Sequence, residues 1–240
     1  MIPITVYADL RPPGPCLNSP LLLDTLVSVG LSIWLNRSDP IRHARHNTAV
    51  RTLQQPFDVL GCRSLGVRWN AVSQAMPVGP ERTHHLHRRA PVDWYMRHRA
   101  GGNIDQITGP DKSLRVRKHV WAACRRLRWT ALLCPKRARR VNRNMGWELE
   151  PIPQLAKILS VVSHVGALSA HGIGWVDGWQ VIEGGPGRRV YAVDPTVRHL
   201  PVEVVGQPWP PGAVLSHLPL SPPYWSGDNR VACCQVRNVP

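Results

Sequence analysis

Positive charge is concentrated in the middle of this 240-residue chain. Residues 82–143 hold 17 of the 30 Lys and Arg side chains but only three of the 15 Asp and Glu side chains, so the rest of the chain is nearly neutral. From Lys112 to Arg143 there is no acidic residue. Because like charges at this density repel one another unless a polyanion neutralises them, we expect a near-neutral globule with one basic segment in its middle.

The basic segment favours a nucleic acid as that polyanion. Fourteen of its 17 basic residues are Arg, whose guanidinium group makes bidentate contacts with phosphate and stacks on bases. Trp94, Tyr95, Trp121 and Trp129 are interleaved with the basic residues, a mixture typical of grooves that bind single strands. Two interpretations compete with this one: a charged surface that only faces solvent, and a core position for Trp121 and Trp129.

The spacing of apolar residues predicts an α+β fold. Alternation from Ile4 to Leu10 predicts a strand. Ser19 followed by Pro20 predicts the start of a helix whose apolar residues repeat with helical spacing through Leu35. A second helix is expected at 151–162, and further strands are expected at 66–72, 114–122, 127–133 and 175–181.

With an enlarged centre allowed for, this order of elements is that of a ferredoxin-like βαββαβ unit. We therefore predict one such domain over residues 1–184, with its centre enlarged by an insertion at 82–143. Residues 185–240 contain ten prolines between short apolar runs, which predicts an extended C-terminal segment packed on that domain.

A glycine-rich loop at 164–175 joins the predicted second helix to the last strand. Gly166, Gly172 and Gly174 have no side chain, so another backbone can approach this loop closely. A glycine turn between a helix and a strand is also a common structural device. Both interpretations of the loop stay open.

Several separated motifs resemble a known family. They are SPLLLDTL at 19–26, RWNAVSQA at 68–75, GPDKSLR at 109–115, the glycine loop with the residues that follow it to Trp179, and PPYW at 222–225. In this order and spacing they resemble the repeat-associated (RAMP) superfamily of CRISPR effector proteins. Within it they resemble the Cas-five-like subunit that holds the 5′ handle of CRISPR RNA in type IV complexes.

The resemblance implies a non-catalytic RNA-binding subunit of an antiviral ribonucleoprotein. It implies a ferredoxin-like body with a glycine-rich loop and a projecting basic thumb, which caps a filament of Cas-seven-like backbone subunits. The large subunit, a helicase and the target DNA are further partners that it implies. Relatives carry Lys or Arg inside the glycine loop, whereas residues 167–171 read ALSAH, so no phosphate contact from Lys or Arg is expected there, although backbone N–H groups can still bind phosphate.

The predicted RNA contacts lie in the basic segment and in the glycine loop. Those in the basic segment are Lys112, Arg115, Arg117, Lys118, Arg125, Arg126 and Arg128. Those in the loop are Gly166, His171, Gly172 and Gly174.

Two other functions stay open. Sibling RAMP proteins cleave precursor RNA without a metal, and the histidines that could serve as general acid or base are His171, His119, His43 and His46. A ribosomal-type structural RNA-binding protein would also be compact and basic. No metal or cofactor is predicted: adjacent histidines at 84–85 point to opposite faces of a strand, and the sequence has no GxxxxGK[ST] phosphate loop.

The cysteines and the N-terminus predict a cytoplasmic protein. The six cysteines include no Cys-x-x-Cys pair, and the first residues lack the basic and apolar regions of a signal peptide. The apolar segment from Leu21 to Leu35 is too short and too amphipathic to cross a bilayer, so no membrane contact is expected.

Overall fold

The computed structural model describes residues 1–12, 14–15, 21–38, 71–79, 82–91, 113–166, 173–220 and 230–236. For residues 35–38, 82–91, 113–123 and 219 it describes the backbone alone. These ranges form a mixed α+β protein with antiparallel sheets, which confirms the predicted class. None of their helices combines the length and the apolar character that a bilayer span requires.

In chain order, the strands are β1 (Ile2–Leu10), β2 (Met76–Val78), β3 (Arg82–Pro91), β4 (Ser113–Ala123), β5 (Arg126–Leu133), β6 (Val176–Glu183), β7 (Leu200–Pro201), β8 (Ala213–Pro219) and β9 (Arg230–Val236). The helices are α1 (Leu23–Ser38), α2 (Pro135–Met145), α3 (Pro151–Leu159) and two single turns, α4 (Val190–Val193) and α5 (Val202–Val205). The strands predicted at 4–10, 114–122, 127–133 and 175–181 are confirmed.

The main sheet has the order β2-β5-β1-β6, and every neighbouring pair in it is antiparallel. The strand predicted at 114–122 is not part of it, because β4 pairs with β3 in a separate hairpin. Of the strand predicted at 66–72, residues 66–70 lie outside the described residues. Val72 forms an isolated bridge with Ala131, and the edge strand β2 starts only at Met76.

The alternation along β1 determines the two faces of the main sheet. Its buried residues, which join the core beneath the helices, are Ile4, Val6, Ala8 and Leu10. Its residues on the other face include Thr5, Tyr7 and Asp9, because successive side chains of a strand point to opposite faces.

Trp129 on β5 lies at the centre of the core. It is fully buried, and its Nε1 donates a hydrogen bond of 2.9 Å to the carbonyl of Leu21. The interpretation of Trp129 as a core residue is therefore confirmed, and Trp129 is not a nucleic-acid contact. Trp94 and Tyr95 lie outside the described residues.

Helix α1 begins at Leu23, later than the predicted opening at Pro20. The carbonyl of Leu21 accepts hydrogen bonds from the backbone N–H of Ala75 and from Trp129, so Leu21 is held against the sheet instead of in the helix. Helix α3 confirms the second predicted helix but ends at Leu159, three residues before the predicted end at Val162.

Helix α2 is a helix that the sequence pattern did not predict. It follows β5 directly, with Pro135 in its first turn and Gly146 (φ +65°) as its C-cap. Its buried residues are Ala138 and Val141. Gln154 of α3 donates from Nε2 to the carbonyl of Ala138 at 2.8 Å, which fixes α2 against α3.

The C-terminal residues, predicted to be an extended segment, contain a three-stranded antiparallel sheet of order β7-β9-β8. Gln74 connects this region to the body, since its Nε2 donates to the carbonyls of Thr196 (3.2 Å) and Val236 (3.3 Å). Tyr191 packs with Leu132 on the face of the main sheet opposite the helices. One end of that face is thereby covered.

Candidate functional site

The topology brings several of the predicted site segments to one end of the main sheet. β1 and β2 end there, at Leu10 and Val78, and β5 and β6 begin there, at Arg126 and Val176. The β3–β4 hairpin connects β2 to β5 at this end, and the glycine loop leads into β6 at the same end. We call it the hairpin end.

The sheet face opposite the helices is open toward the hairpin end. Tyr7 is paired with Arg128 on one side and with Gln180 on the other, and Asp9 is paired with Arg126. These five residues therefore share one face of three adjacent strands. We call this group the open face; none of the five is buried.

Arg126 is held in place by its neighbours on the open face. Its Nε donates to Asp9 Oδ1 at 2.6 Å and its Nη2 to Asp9 Oδ2 at 3.3 Å. Its guanidinium carbon lies 4.8 Å from the centre of the Tyr7 ring. The hydrogen bond with Asp9 raises the pKa of Arg126 above its ordinary value. The open face thus carries a planar cation that is already oriented over an aromatic ring.

Arg128 and Arg125 carry charge that no described carboxylate neutralises. Both side chains are exposed. Arg128 donates from Nη2 toward the sulfur of Met76 at 3.9 Å, and no ion pair within the described residues involves either arginine. The carbonyl of Arg125 accepts from the N–H of Leu10 at 2.8 Å, which fixes its backbone at the hairpin end. These two predicted contacts are therefore available to an anion.

Within the described part of the glycine loop, the structure shows why residue 174 is a glycine. The N–H of Val165 donates to the carbonyl of Gly174 at 2.9 Å, and Gly174 has φ +78°. A Cβ at Gly174 would lie 2.0 Å from the carbonyl oxygen of Val165. The carbonyl of Val165 therefore occupies the space that a side chain at residue 174 would need, which gives Gly174 a structural reason. The predicted RNA contact at Gly174 stays a prediction.

Of the other loop residues predicted to contact RNA, Gly166 is among the described residues. Gly166 has φ +82°, a left-handed conformation that favours glycine. His171 and Gly172 lie outside the described residues. So do Lys112, His43 and His46.

An exposed tryptophan follows the glycine loop. Trp175 is 39% exposed, Arg11 lies over its ring at 5.2 Å, and the His164 ring contacts it edge-on at 4.7 Å. Arg11 in turn pairs with Asp177 at 2.6 Å. The sequence analysis missed Arg11 and Tyr7. The polar side of the β1 alternation was the signal for Tyr7, but only the sheet register places Tyr7 beside the arginines.

The predicted residues Arg115, Arg117 and Lys118 all lie on β4. The backbone of β4 pairs with β3 from Ser113 opposite Pro91 to Ala123 opposite Arg82, with one irregularity between Leu86 and Arg88. His119 lies on the same strand. These predicted contacts therefore lie on two paired strands whose ends, Arg82 and Ala123, are close in sequence to β2 and β5 at the hairpin end.

The buried thiols of the C-terminal sheet do not suggest nucleophilic chemistry. Burial raises the pKa of Cys233 to about 11 and also raises the pKa of Cys234. A reactive cysteine needs the opposite shift, because the thiolate is the nucleophile. Within the described residues, no group of three or more His, Cys, Asp and Glu side chains is arranged to hold a metal ion.

Comparison with models of known protein families and with curated protein sequences finds no match to this chain.

Proposed function

We propose that this protein binds single-stranded RNA at the hairpin end of its main sheet and catalyses no reaction. More specifically, we propose that it is the CRISPR RNA 5′ handle-binding subunit of a type IV effector complex, which its sequence motifs resemble. The observation that carries the RNA-binding proposal is the convergence of the basic hairpin, the glycine loop and the open face at one end of the sheet.

The proposed body is ferredoxin-like. In a βαββαβ unit of that type the third strand of the unit pairs with the first, and the second and fourth lie at the two edges. With the β3–β4 hairpin treated as an insertion, the order β2-β5-β1-β6 has this arrangement, and all of its pairs are antiparallel. In this interpretation the hairpin is the basic thumb.

The open face supplies the two kinds of contact that a single strand uses. The Tyr7–Arg126 pair offers a flat surface on which a base can stack. Arg128 lies opposite Tyr7, and Arg125 directly precedes Arg126 in the chain. No described carboxylate neutralises either arginine, so both can bind the phosphates next to a stacked base. Because Asp9 already neutralises Arg126, we assign Arg126 to stacking rather than to phosphate binding.

Sequencing the RNA that copurifies with the protein from its native host tests the specific proposal. A handle-binding subunit is expected to retain short RNAs with a uniform 5′ end, together with backbone subunits. Ribosomal RNA fragments would favour the ribosomal-type alternative, and RNAs with scattered ends would contradict recognition of a handle.

Incubation of the purified protein with precursor RNA, in EDTA and separately in Mg²⁺, tests the non-catalytic part of the proposal. We expect the RNA to remain intact in both. A discrete product that disappears in His171→Ala or His119→Ala would instead make the protein a metal-independent endoribonuclease.

A further inference from the structure

Helix α2 exposes a single stripe of positive charge. Its sequence PKRARRVNRNM contains five basic and no acidic residues. At about 100° per residue, four of the five fall within an arc of about 100°. These four are exposed, and we call them the α2 stripe: Lys136, Arg139, Arg140 and Arg143.

The α2 stripe lies on the helix side of the main sheet, away from the open face. Val141 of α2 is fully buried in the same core cluster as Val6 and Leu155, whereas Tyr7 is on the opposite face of β1. Asn142 of α2 accepts from Gln154 Nε2 at 2.5 Å and donates to the carbonyl of Leu149 at 2.5 Å. The helix is thus held firmly and presents the stripe to solvent in a fixed orientation.

Stability alone does not account for this charge. Lys136 lies in the first turn, where the helix dipole favours acids and disfavours cations, and that turn contains no acid. Arg139 and Arg143 are four residues apart, a spacing at which like charges repel. No ion pair within the described residues involves any member of the stripe. Such an arrangement is expected where a bound polyanion supplies the missing negative charge.

The surroundings of the stripe decide which polyanion fits. The apolar side of α2 is buried, so the helix has no face left to insert into a membrane. The exposed residues of the helix include no aromatic side chain, whereas surfaces for single strands use aromatic rings for stacking. The helix is roughly 16 Å long. In one strand of a duplex the phosphates follow one another about every 3.4 Å along the duplex axis, so the row of cations on α2 can face several of them.

We propose that the α2 stripe is a second binding surface, which docks on the phosphate backbone of a double-stranded nucleic acid. It goes beyond the proposed RNA-binding function and does not depend on it. Recognition through phosphate alone would be independent of sequence.

The test is binding of a fluorescein-labelled 20-base-pair DNA duplex, and separately an RNA duplex of the same sequence, over a range of salt concentrations. The variant is Arg139→Gln with Arg143→Gln. The matched control is Arg189→Gln with Arg230→Gln, which removes the same charge from two exposed arginines of the C-terminal region. Loss of two phosphate contacts should weaken duplex binding on the order of tenfold to a hundredfold and reduce the salt slope by about 1.8. The control should stay near wild type.

The single-stranded RNA affinity of the α2 variant is expected to remain within about twofold of wild type, so the two proposals can fail separately. A thermal midpoint within a few degrees of that of wild type shows that the variant is folded. Equal weakening in the variant and the control would overturn the proposal, because net charge alone would explain it. A wild-type protein that binds neither duplex at low salt, but binds polyglutamate, would also overturn it in favour of an acidic protein partner.

Discussion

The open face and the α2 stripe both carry arginine, but of these two surfaces only the open face has an arginine paired with a described carboxylate. On the open face, Arg126 is fixed by Asp9 and by the Tyr7 ring. Nearby at the hairpin end, Arg11 is fixed by Asp177 and by Trp175. On the α2 stripe, the exposed cations have no carboxylate partner among the described residues.

The two arrangements suit different parts of a nucleic acid. A guanidinium group that is paired with a carboxylate has a defined orientation, and the net charge of the pair is close to zero. Such a group suits the recognition of bases. Unpartnered ones keep their full charge and suit a phosphate backbone. Arg126 and Arg128 on the open face and the four cations of the α2 stripe therefore lie on opposite sides of one sheet.

A glycine with positive φ lies near each region, Gly174 at the hairpin end and Gly146 at the end of α2, and the largest predicted effect distinguishes these two glycines. A Cβ at Gly174 would overlap the carbonyl of Val165, whereas a Cβ at Gly146, the C-cap of α2, would meet nothing within 4 Å. Gly174→Ala should destabilise the fold by about 2 to 5 kcal/mol through strain and overlap. Gly146→Ala should cost about 1 to 2 kcal/mol through strain alone. Thermal or urea unfolding of both variants measures this difference.

Folding experiments also decide between the two interpretations of the glycine loop. If Gly174 is structural, the RNA affinity of the folded fraction of Gly174→Ala should be that of wild type. A fully stable Gly174→Ala protein that has lost RNA affinity would support the interpretation in which RNA backbone approaches this glycine.

The second prediction separates stacking from charge on the open face. Tyr7→Leu should weaken single-stranded RNA binding by about 1 to 3 kcal/mol with an unchanged salt slope, because a stacking surface is lost and no phosphate contact is. Arg128→Gln should instead reduce the salt slope by about 0.7. Fluorescence anisotropy at several salt concentrations measures both quantities. Two variants with the same change in salt slope would contradict this assignment.

The third prediction converts a partnered arginine into an unpartnered one. Asp9→Asn removes the carboxylate that holds Arg126 while keeping an oxygen acceptor. The freed guanidinium should contact phosphate, so RNA affinity should rise modestly and the salt slope should steepen by up to about 0.7. A fall in affinity with no change in slope would mean that orientation of Arg126 by Asp9 matters more than its free charge.

The smallest predicted effect concerns stability at the α2 stripe. Arg139→Gln with Arg143→Gln removes a like-charge pair four residues apart, but it also removes a cation from the last turn, where the helix dipole favours positive charge. The two effects oppose each other, so the free energy of unfolding should change by less than about 1 kcal/mol at low salt. The change should shrink at high salt because both interactions are screened. A loss well beyond this range would show that an arginine of the stripe has a structural role in the free protein.

The regular parts of this fold could be predicted from the sequence. The parts that depend on contacts between distant residues could not. The alternation in β1 and β5 and the helical spacing in α3 are local signals, and those elements are present. Helix α2 was missed because only Ala138 and Val141 of its 11 residues are buried, so its pattern is that of a charged run. The crowding at Gly174 was not predicted, because it comes from the backbone carbonyl of Val165.

The candidate site was predicted in part. The arginines at 125–128 were predicted from charge, but Tyr7 was not, because the arginines beside it on the open face are more than a hundred residues away in the chain. Only the register of β1 between β5 and β6 brings Tyr7, Arg128 and Gln180 together. That register pairs strands that are far apart in the chain, so the residues around Tyr7 alone do not determine it.

Photo-crosslinking of the wild-type protein to a single-stranded RNA that contains 4-thiouridine, with the attachment sites mapped by mass spectrometry, locates the RNA on the protein. We expect attachment at Tyr7 and in the peptide that contains Trp175, on the open face and at the hairpin end. Attachment confined to residues 135–147, or to the C-terminal sheet, would contradict the claim that the hairpin end binds the single strand.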